Sequence, residues 1–189
     1  MSAMKTRSFR SAVAFRAWLV REHARCDGLL LRIYKTASGI ASVTYAEALD
    51  QALCFGWIDA QKLPLDGRCW IQTFQPRRSR SKWSKKNTEH AERLIKSGEM
   101  TDAGHNEVRA AKADGRWRAA YDSSSTATMP GEFLERLARN KQASVMYATL
   151  NKANLYAIAY RLQTAKREET KRKRMQAIID MLARGEKFH

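Results

Sequence analysis

"WIDAQKLPLDGRCWIQTFQP", residues 57–76, places two apolar-rich runs on either side of Asp66-Gly67. Asp-Gly between such runs is a strong short-range signal for a two-residue β-hairpin, because both residues tolerate the positive φ that the favoured turns require. A lone hairpin is marginal in water, so a further strand and covering helices are needed. "GLLLRIYK", residues 28–35, is short and rich in branched and aromatic side chains, with Gly39 beyond it, and supplies that strand. The expectation is a small antiparallel sheet of about three strands.

Helical spacing surrounds the strands. Phe15, Trp18, Leu19 and Glu22 recur at helical intervals behind Ser11, which predicts a capped amphipathic helix over 12–24. Thr44 and Glu47 have capping-box spacing, Ala48, Leu49, Ala52 and Leu53 give that helix an apolar face, and Gly56 ends it. After Pro76 the period is that of helices: Ser81 or Ser84 caps one that carries Ala91, Leu94 and Ile95 and stops at Gly98. Thr101 caps the next, which runs to Asp114-Gly115.

"YDSSSTATMP", residues 121–130, is poor in large apolar side chains and marks a linker, with Pro130 suited to the first turn of a new helix. A boundary near residue 125 divides a domain over 1–125 from a module over 126–189. The module holds helical patterns only, in the sets Phe133/Leu134/Leu137, Val145/Tyr147/Leu150, Leu155/Ile158/Ala159/Leu162 and Met175/Ile178/Ile179/Leu182. The fold class is therefore α+β: a small antiparallel sheet packed with helices, followed by an all-helical C-terminal module.

Thirty-five Lys and Arg against nineteen Asp and Glu give a net charge of +16. A field of that sign favours phosphate backbones, anionic headgroups or acidic proteins as partners. Cys26, Cys54 and Cys69 form no C-x-x-C pair and two lie in apolar runs, which fits a reducing, cytoplasmic compartment. The basic N-terminus does not resemble a secretory signal, and no apolar run is long enough for a transmembrane segment.

Motifs for nucleotide loops, hydrolase elbows and zinc proteases are absent, and the four histidines stand apart without ligand-spaced neighbours. No cofactor, metal site or catalytic residue is assigned, which favours a binding protein over an enzyme. The densest polar cluster combines Trp57, Asp59 and Gln61, which share a strand face by alternation, with Arg77, Arg78, Lys82, Trp83 and Asn87. Asp59 would orient Arg77 or Arg78, with Trp57 or Trp83 as an apolar wall.

"FQPRRSRSKWSKKN", residues 74–87, carries six basic residues and no acid at the start of a helix, where the backbone dipole is already positive. Negative charge, from a buried carboxylate or an external anion, is expected to answer them. A second run, "AKREETKRKRM", residues 165–175, opens the last helix with Glu168 and Glu169 in its first turn. The candidate binding set is Trp57, Asp59, Arg77, Arg78, Lys82 and Trp83, for an anionic ligand or an acidic protein partner. A nucleic-acid binder using both basic runs, and an enzyme with a pocket around Asp59, are the alternatives.

"YAEALDQALCFGWID", "FQPRRSRSKWSKKN", "ADGRWRAAY" and the stretch from "LYAIAYRLQTAKREETKRKRM" to "MLARGEKF" together resemble the YdeI or OmpD-associated family of bacteriocin-protection proteins, over nearly the whole chain. The resemblance implies a cytoplasmic bacterial protein linked to stress response, to tolerance of cationic peptides or bacteriocins, and to an outer-membrane porin. It also implies a separate C-terminal helical module, and it carries over no catalytic residue.

Overall fold

The computed structural model describes residues 4–189, which contain eight α-helices and four strands. They form two compact units: residues 4–81 with Asn87–Arg118, and Lys82–Lys86 with Ala119–His189.

The first unit runs β1 (Lys5–Arg7), α1 (Ala12–Glu22), β2 (Leu29–Tyr34), α2 (Tyr45–Cys54), β3 (Trp57–Pro64) and β4 (Cys69–Pro76). It continues with most of α3 (Lys85–Lys96) and with α4 (Asp102–Ala113). The strands form one sheet in the order β1-β2-β4-β3, and β1 pairs parallel to β2. The sheet is thus four-stranded and mixed, not three-stranded and antiparallel. The added strand is the exposed tripeptide KTR, which has no apolar pattern to announce it.

The hairpin forms where Asp66-Gly67 lies, but its loop is longer than two residues. Pro64 pairs with Trp70, and the Asp66 carboxylate accepts hydrogen bonds from the backbone N–H groups of Arg68 (2.7 Å) and Cys69 (2.9 Å). An aspartate bonded to its own downstream backbone closes the turn without left-handed residues. Those two bonds also hold the Asp66 carboxyl below its ordinary range.

Leu29, Leu31 and Ile33 alternate inward along β2 and pair across to Phe74, Gln72 and Trp70 of β4. Helix α1, capped by Ser11, lays Phe15 5.9 Å from the Phe74 ring and Trp18 edge-on 5.8 Å from Trp57. Phe15, Leu19, Leu31 and Phe74 are wholly buried, and each such side chain contributes roughly 1.5–3 kcal/mol. Helix α2 begins with the complete Thr44–Glu47 capping box.

Helix α4 approaches the end of α2 so closely that a Cβ on Gly104 would lie 2.5 Å from the Cys54 carbonyl oxygen. That carbonyl accepts the Thr101 hydroxyl at 2.6 Å, so Thr101 spends its side chain on α2 instead of capping α4.

In the second unit, Lys82–Lys86 runs beside Tyr121 through a parallel bridge at Ser84, and α3 itself starts at Lys85, directly after Ser84. Four helices follow: α5 (Gly131–Ala138), α6 (Lys141–Ala148), α7 (Lys152–Gln163) and α8 (Glu168–Ala183). Asn140 and Asn151 cap α6 and α7 with their side-chain oxygens. Phe133, Leu137, Ile158, Leu162, Met175 and Leu182 build the core. Leu134 and Val145, apolar in sequence, face outward. Among the described residues no helix is long and apolar enough to cross a membrane.

Candidate functional site

Trp57 opens β3 directly after Gly56, whose φ of 72° turns the chain out of α2. Its indole is 1% exposed and donates to the His23 carbonyl at 3.1 Å, so it is a core strut with its polar atom satisfied. Asp59 accepts a hydrogen bond from the Tyr45 hydroxyl at 2.8 Å, where an arginine partner was expected. Burial, then the charge of Asp59, push the Tyr45 hydroxyl well above its usual titration range. The pairing register shifts between Asp59 and Lys62, so the alternation that would align Gln61 with Trp57 and Asp59 breaks at this bulge.

Arg77 follows β4 and is 7% exposed, with its backbone N–H on the Gly56 carbonyl at 3.0 Å. Arg78 is exposed and begins a tight turn in which Arg80 takes a φ of 68°. Trp83 is 2% exposed, and its carbonyl accepts from the Tyr121 N–H at 3.1 Å. Lys82 and Trp83 belong to the second unit and the other four residues to the first, so neither unit holds all six.

An acid does answer the basic helix start. Lys85 forms an ion pair with Asp122 at 2.6 Å, and Asp122 also accepts the Gln163 side-chain amide at 2.8 Å. In the second basic run, Glu168 and Glu169 pair with Lys171 and Lys173 at 3.9 Å and 2.7 Å. The second run is therefore partly neutralised along its own length, and the first is partly neutralised by Asp122 from outside it.

The second unit contains a cleft of about 720 Å³ lined by Lys82, Tyr160, Arg161, Arg174, Arg184 and Phe188, with Glu186, Ile178 and Met181. The Lys82 ammonium lies 5.0 Å from the Tyr160 ring centroid, and the Arg161 guanidinium 3.8 Å from that of Phe188. Arg161 also donates to the Ala157 carbonyl at 3.1 Å, and Arg174 to the Arg161 carbonyl at 2.7 Å. Rings and carbonyls thus hold Arg161 and Arg174 in place without cancelling their charge. Arg184 is different: it grips Glu186 through two bonds, at 3.1 Å and 2.9 Å, which keep the Glu186 carboxyl below its ordinary range. The lining carries four cations against one carboxylate.

Sequence reasoning nominates Lys82 here and misses Tyr160, Arg161, Arg184 and Phe188. The available signal is the spacing of Arg174, Ile178 and Met181, which puts a cation on one helical stripe with apolar neighbours. Among the described residues no group of His, Cys, Asp and Glu is arranged to hold a metal ion.

Comparison with known families divides the chain in two. Residues 7–107 match a domain of unknown function (DUF8412), and residues 126–185 match the family described as bacteriocin-protection, YdeI or OmpD-associated. The chain belongs to the DUF8412 family, and its residues 126–185 carry a YdeI or OmpD-associated domain. The YdeI or OmpD-associated match is shorter than the motif resemblance suggested, since the hairpin and the stretch 74–87 fall in the DUF8412 part. Within the YdeI or OmpD-associated domain lie Tyr160, Arg161, Arg174 and Arg184 of the cleft. No curated protein and no solved structure matches the chain.

Proposed function

We propose that this YdeI or OmpD-associated family protein is a non-enzymatic binding protein that holds an anionic ligand in the cleft of its helical module, residues 126–189 with Lys82. The observation that carries it is the cleft lining of four cations against one carboxylate, with Arg161 and Arg174 positioned by neutral groups. Uncancelled, pre-positioned charge in a concave site favours an anion over water.

Of the residues nominated from sequence, Lys82 contacts the ligand, and Arg78 adds to the positive charge of the first unit. Trp83 lies in the same segment as Lys82, and Trp57, Asp59 and Arg77 belong to the first unit. A protein of net charge +16 repels cationic peptides, so a role in bacteriocin or cationic-peptide tolerance runs through the anionic ligand or an acidic partner. The three free cysteines fit action in the cytoplasm.

Calorimetry and thermal shift with inorganic phosphate and pyrophosphate test the assignment. Stabilisation of the native protein, lost in a Lys82→Ala, Arg174→Ala double variant and kept in Arg78→Ala, supports the cleft. Loss in Arg78→Ala alone moves the site to the hairpin unit, and equal binding by all three proteins removes both. Binding to duplex or single-stranded DNA that falls steeply with salt would favour the nucleic-acid alternative.

A further inference from the structure

The composition of the cleft narrows the ligand class, and this inference rests on the anion-binding function above. Orthophosphate needs only donors and positive charge. Yet the lining of this cleft also includes Tyr160, Phe188 and Met181, apolar surface that a small hydrated anion leaves wet. At about 720 Å³ the open cleft has room for more than a bare oxyanion.

Both rings are half-buried and already carry a cation over the ring, Lys82 at Tyr160 and Arg161 at Phe188. Aromatic rings and guanidinium planes side by side are the two surfaces on which a planar heterocycle stacks. Arg174 is held by the Arg161 backbone carbonyl at 2.7 Å, so a phosphate donor stands next to the Arg161–Phe188 stack. Four cations against one carboxylate suit a ligand with more than one negative charge better than a monocarboxylate.

We infer that the cleft binds a nucleoside phosphate, with the phosphates on Lys82 and Arg174 and the base stacked beside Tyr160 and Phe188. The base is held by stacking with no donor–acceptor readout, so discrimination among bases is weak.

Calorimetry with ADP, pyrophosphate and adenosine, on the full chain and on Phe188→Leu, decides it. ADP should bind at least about tenfold more tightly than pyrophosphate, the increment expected from one stacked base. Phe188→Leu should lower ADP affinity more than pyrophosphate affinity and so close that gap, and adenosine alone should bind weakest. ADP and pyrophosphate binding equally would overturn the nucleotide assignment and leave the anion site standing. Adenosine binding as well as ADP, or no binding by any of the three, would overturn both. Should Phe188→Leu fail to fold, the ranking of the three probes on the unaltered protein still separates a nucleotide site from a bare anion site.

Discussion

The Nζ of Lys85 lies 2.6 Å from Oδ1 of Asp122, joining the first residue of α3 to the chain that leads into the four C-terminal helices. The Asp122 carboxylate is mostly shielded, at 14% exposure, whereas Lys85 is 60% exposed. This pairing supplies the negative charge that a cation-rich helix start demands.

The same pair predicts an acid limb in stability. The Lys85 bond, aided by Gln163, lowers the Asp122 carboxyl from its ordinary value. A depressed folded-state value contributes stability that is complete above the unfolded carboxylate range, near about pH 4, and is lost as pH falls through the lower folded value. Asp122→Asn should flatten the melting temperature against pH in that acidic window. At neutral pH it should cost below about 1 kcal/mol, since Lys85 is largely solvated. An unchanged acid limb in the variant would assign it to other carboxylates.

Tyr45 is the sole hydrogen-bond partner of the Asp59 carboxylate among the described residues. Tyr45→Phe removes the donor and leaves a half-buried carboxylate to be resolvated, at a cost of about 1–3 kcal/mol. Urea unfolding should show this as a lower midpoint at constant m. A Tyr45→Phe, Asp59→Asn double variant should recover part of the loss, and strict additivity would deny the coupling.

Gly104 and Gly98 make a matched pair of tests. A methyl on Gly104 meets the Cys54 carbonyl at 2.5 Å, so Gly104→Ala should force α2 and α4 apart at about 1–3 kcal/mol. Gly98 has open space around it but a φ of 75°, so Gly98→Ala should cost about 1–2 kcal/mol from backbone strain alone. Hydrogen exchange separates the two: only Gly104→Ala should expose amides near both helices.

Removing the α2 cap should act more locally. Thr44 Oγ1 accepts the Glu47 N–H at 3.3 Å while the Glu47 carboxylate accepts the Thr44 N–H at 2.8 Å. Thr44→Ala should lower stability by about 1 kcal/mol, and Thr44→Ser should restore it.

Elements with a strong local signature were legible in sequence. Ser11, Thr44 and Glu47 cap the helices that their spacing announces, and Leu29, Leu31 and Ile33 alternate into the core. Strand β1 was not legible, because Lys5–Arg7 is polar, exposed and held to β2 through backbone pairing, which has no side-chain pattern. The hairpin was legible but not its loop, since Asp66 used its carboxylate where Asp-Gly usually uses its backbone freedom. At the candidate site, a run of cations showed in the sequence, while the partners did not. Lys82 meets Tyr160 seventy-eight positions later, and Asp59 meets Tyr45 from a different element. Such pairs depend on tertiary packing and leave no local period.

Strand β3 ends the sheet, and its outer half, Ala60 to Pro64, is exposed. The slipped register after Asp59, the ammonium of Lys62 and the missing N–H of Pro64 together deny a neighbouring molecule a regular ladder to join. Concentrated solutions should therefore stay monodisperse on this side, and a Lys62→Val, Pro64→Val double variant should gain higher-order species in light scattering.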